Sequence, residues 1–157
     1  MVPDVKKFQP GVRVVAMVHY GGYAEEVVTQ ATDVYLIPDS ADYAAAARFP
    51  ISYDTSHIGI CDKLKLQAGK TILIDRDAGG VGLTAVEIAK KVGATVIATA
   101  GGPKKLVIAK QHGADHLIDH RTEDIRTRGK ALTDGRDVEG VYGLVGGDVF
   151  TALLRAI

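Results

Sequence analysis

The chain has 157 residues, with 19 basic against 19 acidic side chains, a formal charge of zero and a 46% hydrophobic content. Without a basic run it offers no clustered positive charge to a nucleic-acid backbone or an anionic membrane, so neither is an expected partner. No stretch reaches the ~18 apolar residues of a membrane helix, and Met1-Val2-Pro3-Asp4-Val5-Lys6-Lys7 lacks the apolar core of a secretion signal. The single cysteine, Cys61, excludes an internal disulfide and any CxxC metal site, which fits a reducing, cytoplasmic setting.

In chain order, short strand-like runs come first, over 13–18, 24–28 and 34–37, punctuated by Gly11, Gly21-Gly22 and Pro38. They read as part of a small β unit. An alanine-rich helix is predicted over 42–48, with Ser40 as its N-cap and Phe49-Pro50 as its end, because the residue before proline avoids helical angles. A second helix is predicted from about 53 to 64, with Ile58, Cys61 and Leu64 on one face.

The composition changes near Leu66, and from Lys70 strands alternate with helices. Thr71-Ile72-Leu73-Ile74 is a continuous apolar run of the kind buried on both faces. A helix over 79–92 carries Val81, Ala85, Ile88, Ala89 and Val92 in one stripe and is capped by Gly93. Further strands are predicted over 95–99, 116–118 and 138–142, and further helices over 103–112, 122–132 and 148–157. Four strands joined by helical crossovers imply an α/β, doubly wound parallel sheet. The expected organisation is 1–65 as partial β domain with connecting helices and 66–157 as partial dinucleotide-binding domain.

The residues richest in chemical meaning are Ala78-Gly79-Gly80-Val81-Gly82, directly after the first buried strand and opening a long helix. Glycines there let the backbone approach a pyrophosphate, whose charge meets free N–H groups at a helix N-terminus. Arg76 stands where a small residue completes the fingerprint. A site for NAD commonly places an acid about 20 residues beyond the glycines, to hold the ribose 2′-hydroxyl. Here that region reads Thr99-Ala100-Gly101-Gly102-Pro103-Lys104-Lys105, with two lysines and no acid, which favours NADP over NAD.

Several blocks together resemble one family: Gly21-Gly22-Tyr23-Ala24-Glu25, Phe49-Pro50-Ile51-Ser52-Tyr53-Asp54-Thr55, Leu66-Gln67-Ala68-Gly69, the glycine turn, Gly113-Ala114-Asp115-His116 and Val145-Gly146-Gly147-Asp148-Val149-Phe150. In this order they resemble the zinc-independent quinone oxidoreductase (zeta-crystallin-like) branch of the medium-chain dehydrogenases/reductases. The resemblance implies a GroES-like β domain beside a Rossmann domain, and hydride transfer from NADPH to a small quinone or enone without a catalytic metal. It implies that Gly79, Gly80, Val81 and Gly82 line the pyrophosphate and that Lys105 meets the 2′-phosphate beside Gly101. His120 and Arg121 fall beside the adenosine phosphate, and Thr55, Val145 and Gly146 near the nicotinamide.

There are departures too. Asp75-Arg76-Asp77 replaces a run of small residues or histidine and adds net negative charge beside the pyrophosphate. Relative to the family the chain begins inside the first domain and stops after the fourth Rossmann strand and its helix. That leaves a bare sheet edge through which copies could associate. The rival readings are a reductase of enoyl thioesters and a catalytically silent nucleotide-binding remnant; no catalytic side chain is assigned.

Other constellations carry less. His112 and His116 have metal-ligand spacing, but Gly113 breaks the helix between them. Cys61 reads as a small buried hydrophobe, Tyr53 as a packed tyrosine or a donor to a carbonyl, and neither Ser52 nor Ser56 lies in a nucleophile elbow.

Overall fold

Short β-branched runs close to the N-terminus can satisfy their backbone only by pairing with one another. In the computed structural model, which describes residues 8–75, 79–143 and 147–157 (147–149 through their backbone), β1 (Val14–Ala16) and β2 (Val34–Leu36) do so. They are antiparallel, with Val15 opposite Tyr35. The Arg13 guanidinium gathers the carbonyls of Pro38, Asp39 and Ala41 at 3.1, 2.7 and 2.5 Å and lies 4.4 Å from the centre of the Tyr43 ring. Residues 24–28, expected as a strand, form none: they join no ladder, and Val28 is 95% exposed.

The chain divides into two compact units at Pro50–Ile51, ahead of the composition change at Leu66. Helix α1 (Tyr43–His57) passes from one into the other. The two helices expected here are therefore one, with Pro50 inside it, followed by a π-helical turn over Ile58–Lys63. Proline removes one amide donor and disfavours helical angles at Phe49. Bonds to the next helix hold the second half of α1 helical all the same: the Thr84 hydroxyl donates to Ser52 O, and the Tyr53 and Ser56 hydroxyls donate to Glu87 and Val81 O. Its N-cap is Asp42, whose carboxylate accepts from Ala45 N at 2.8 Å, rather than Ser40.

In the larger unit β3 (Thr71–Asp75), α2 (Gly80–Val92), β4 (Thr95–Ala100), α3 (Pro103–Gln111), β5 (His116–Asp119), α4 (Ile125–Leu132), β6 (Gly140–Tyr142) and α5 (Gly147–Leu154) alternate as expected. The sheet is parallel throughout, in the order β5-β4-β3-β6. This is the 3-2-1-4 arrangement of a Rossmann-type domain. Strand period puts Ile72, Ile74, Val96 and Ala98 on one face, under Ala85, Val86 and Ala89 of α2 and Ala109 of α3. Leu73, Ile97 and Ile118 point the other way, into a second core with Ile125, Val138, Leu153 and Ala156. Each fully buried branched side chain stabilises by roughly 1.5–3 kcal/mol. The buried face of α2 is Gly82, Ala85, Val86 and Ala89, rotated from the stripe expected, which leaves Val81, Ile88 and Val92 half-buried.

Three element ends also differ from expectation. Thr122 N and Glu123 N both bond Asp119 O in a turn, so α4 starts after Asp124, which caps it by accepting from Thr127 N at 2.8 Å. β6 begins at Gly140 because Val138 N donates to Ala156 O at 3.1 Å. The same bond, with Ala156 N on Leu153 O, turns the chain out of helix after Leu154, short of residue 157. Among the described residues no helix is long and apolar enough to cross a membrane.

Candidate functional site at the strand C-termini

In a parallel sheet every strand ends on the same side. Here Asp75, Ala100, Asp119 and Tyr142 mark that side, and the order reverses between β3 and β6, where open α/β sheets bind ligands. Gly79 is the N-cap of α2, extended (φ −89°, ψ 162°) and without a side-chain cap. The first amides of α2, at Gly80, Val81 and Gly82, have no acceptor within the helix and so remain donors for an anion.

A buried hydroxyl pair fixes that turn. Ser56 Oγ donates to Val81 O at 2.7 Å and lies 2.8 Å from Thr84 Oγ1, which in turn sits 3.0 Å from Ser52 O and 3.1 Å from Gly80 O. An added Cβ at Gly80 would stand 3.3 Å from Ser52 Oγ, so glycine is what lets α1 come this close. From sequence, neither serine suggests more than a candidate nucleophile. Their i, i+4 spacing on one face of a helix was the available signal of a joint docking role.

At the far side of the sheet, β4 ends in Gly101-Gly102, and both are covered by the segment after β5. An ideal Cβ at Gly101 would stand 2.8 Å from Arg121 Nε and 3.0 Å from His120 Nε2. At Gly102, φ is +102°, in the region glycine alone adopts without strain. Asp119 does not face outward as a ribose acceptor: its Oδ1 accepts from Gly102 N at 3.2 Å and Arg121 N at 3.1 Å. Gly101, His120 and Arg121 are therefore brought together, with Lys104 and Lys105 exposed on the first turn of α3.

Asp75 is the residue whose role the sequence obscured. It is fully buried and in register with Thr99, whose Oγ1 donates to Asp75 Oδ1 at 2.6 Å. His120 Nδ1 lies 3.7 Å from the same oxygen. Asp75 Oδ2 and His120 Nδ1 are both buried and, among the described residues, have no hydrogen-bond partner. The carboxylate thus belongs with the β4 and β5 ends. Arg76 and Asp77 lie outside the described residues, as do Val145 and Gly146. Thr55 is exposed near the end of α1, and its carbonyl accepts from Tyr142 Oη at 3.5 Å, which places it by the end of β6.

Three comparisons with known proteins bear on this arrangement. Residues 80–157 match the family model described as zinc-binding dehydrogenase. The chain is 40% identical over 137 residues to a quinone oxidoreductase-like protein 2 homolog of Nematostella vectensis, covering 87% of this chain and 38% of that protein. The crystal structure of a probable oxidoreductase from Mycobacterium abscessus superimposes with a TM-score of 0.91 at 30% identity, over 100% of this chain and 49% of the other. The Escherichia coli quinone oxidoreductase complexed with NADPH superimposes with a TM-score of 0.76 at 31% identity, over 81% of this chain and 39% of the other.

The chain belongs to the zinc-independent quinone oxidoreductase branch of the medium-chain dehydrogenases/reductases. It spans less than half the length of each of these relatives.

For a member of this branch, the remaining candidates fall away from the strand C-termini. Tyr53 Oη donates to Glu87 on α2, and His112 Nδ1 lies 2.6 Å from the other oxygen of that carboxylate. Tyr53 is thus engaged between helices rather than offered to a carbonyl substrate. Cys61 is half-buried against the first core. Among the described residues no three His, Cys, Asp or Glu side chains form a metal site.

Proposed function

We propose that this chain binds NADPH across the C-terminal edge of its sheet and serves the reduction of a quinone or enone. The observation that carries the reading is the close cover of Gly101 by Arg121 and His120, a cradle that a Cβ would fill. Two nitrogenous side chains over a glycine loop suit a ribose 2′-phosphate, and among the described residues no acid is free at the end of β4 to prefer a 2′-hydroxyl. The likeness to a quinone oxidoreductase complexed with NADPH supports the same reading.

The residues divide the work by position. Gly79, Gly80, Val81 and Gly82 present amides to the pyrophosphate, and the Ser56–Thr84 pair holds them in place. Arg121, His120 and Lys105 meet the 2′-phosphate, with Gly101 as floor. Thr55, Val145 and Gly146 border the nicotinamide, which supplies hydride from its C4 when bound. A setting in the cytoplasm and a small-molecule acceptor complete the reading.

Steady-state oxidation of NADPH by a simple quinone tests it, with an enoyl thioester as competing acceptor. Turnover with NADPH that falls about tenfold in Arg121→Ala, through loss of a charge-assisted contact, is the expected result. Tight binding of NADPH without turnover on either acceptor would identify a nucleotide-binding protein instead.

A further inference from the structure

We infer that His120 and Asp75 form a proton-linked clamp, so that binding of NADPH takes up a proton from solvent. The inference rests on the placement of the 2′-phosphate at Gly101 proposed above and adds the charge state in which that site works.

The two ring nitrogens of His120 face different surroundings. Nδ1 is buried, 3.7 Å from Asp75 Oδ1, and Nε2 lies over Gly101 at the rim of the cradle. Asp75 is fully buried with Oδ2 unpartnered among the described residues, and its other oxygen is engaged by Thr99. A neutral imidazole carries one N–H and can serve only one of these directions. Serving both, Nδ1–H toward the Asp75 carboxylate and Nε2–H toward a phosphate oxygen, requires the second proton. No bond is made or broken: solvent or buffer gives up one proton, and the ring becomes an imidazolium between two anions. An anion brought to Nε2 favours that charged form, and a buried carboxylate behind Nδ1 keeps it from being a lone buried charge.

Asp75 from β3 faces the ring and Arg121 shares the cover of Gly101 with it; the other charged residues of its own segment are Asp119 and Glu123. Lys104 and Lys105 come from the first turn of α3. Arg121 opposes protonation and itself attracts the phosphate. Asp119 is committed to two backbone amides. Arg76 and Asp77 follow Asp75 in sequence and lie outside the described residues. Because the clamp needs that added proton, its hold on the phosphate weakens as pH rises.

The test is calorimetric titration of the whole chain with NADPH, and separately NADH, at pH 7.5 in two buffers of different ionisation enthalpy. For the natural chain the observed NADPH enthalpy should shift between buffers by the equivalent of a fraction of one proton taken up, and the NADH enthalpy should shift less. His120→Gln keeps a neutral donor but cannot titrate. It should abolish that difference, lower the NADPH-to-NADH affinity ratio about tenfold and flatten its decline between pH 6.5 and 8.5. Asp75→Asn, which keeps an acceptor for Thr99, should reduce the uptake, and its thermal unfolding shows that it folds; if it does not, His120→Gln carries the test alone. NADPH binding with the same enthalpy in both buffers, or uptake that persists in His120→Gln, overturns the clamp and leaves the cofactor reading standing. A folded chain that binds no NADPH overturns both.

Discussion

The two ends of the parallel sheet carry similar residues and treat them oppositely. At the N-terminal end, Asp115 accepts from Lys90 Nζ at 2.8 Å and from Val96 N at 2.7 Å, and Glu139 accepts from Thr71 N at 2.7 Å with Lys70 at 3.7 Å. Burial alone would raise the Asp115 carboxyl, but the Lys90 and Val96 hydrogen bonds outweigh it and hold it below the usual carboxylate range. The Thr71 amide does the same for Glu139, against a smaller opposing effect of burial. At the C-terminal end Asp75 is more deeply buried than either, yet one of its oxygens and the facing His120 nitrogen have no partner among the described residues. A satisfied carboxylate stabilises the fold. A half-satisfied one at the C-terminal edge of the sheet is a place where binding can supply what the fold leaves open.

The largest effect expected from breaking this contrast is at the satisfied end. Asp115→Ala strands the Val96 amide and the Lys90 ammonium; with about a third of the side chain exposed and screened, a loss of about 2 kcal/mol in urea unfolding is expected. NADPH affinity should not change. Thr84→Val removes a buried hydroxyl from the Ser56 pair and should lower stability by about 1–2 kcal/mol. It should also weaken NADPH binding, because the glycine turn is held from that point. Gly101→Ala should do the reverse of Asp115→Ala. The atoms a new Cβ meets are the flexible ends of Arg121 and His120, so unfolding stays within about 0.5 kcal/mol. NADPH affinity falls roughly fivefold, about 1 kcal/mol, measured by nicotinamide fluorescence.

The smallest effect is in acid. The folded carboxyls of Asp115 and Glu139 are depressed relative to the unfolded chain. Their contribution is complete above the unfolded value, near pH 4, and is lost as pH falls through the folded value. Urea midpoints measured from pH 6 down to 3 should drop only below about pH 4, and the drop should be shallower in Asp115→Asn.

Much of the larger unit was legible because its signals are local and repeated. Continuous apolar runs marked β3 and β4, and glycine and proline punctuation marked the ends of α2 and α3. Pro50 misled because its local preference for ending a helix was overridden by hydroxyl bonds to α2, a tertiary effect. Residues 24–28 misled because a strand-like pattern does not provide a partner strand. The family resemblance implies that Gly101, His120 and Arg121 share one site, and their mutual contact is a product of the β4–β5 register. Asp75 was legible only as a charge next to Arg76 and Asp77. Its partner Thr99 is 24 residues away and meets it only through parallel pairing of β3 with β4.

The central claim is that ligand binding belongs to the C-terminal end of the sheet and stability to the other. Amide chemical-shift mapping of the isotopically labelled chain on addition of NADPH tests it most directly. The account predicts the largest shifts at Gly79 to Gly82, Gly101, Gly102, His120 and Arg121, with Thr71, Val96, Asp115 and Glu139 unmoved. Shifts concentrated on that second group, or saturable binding that leaves Gly101 and Arg121 unmoved, would contradict it.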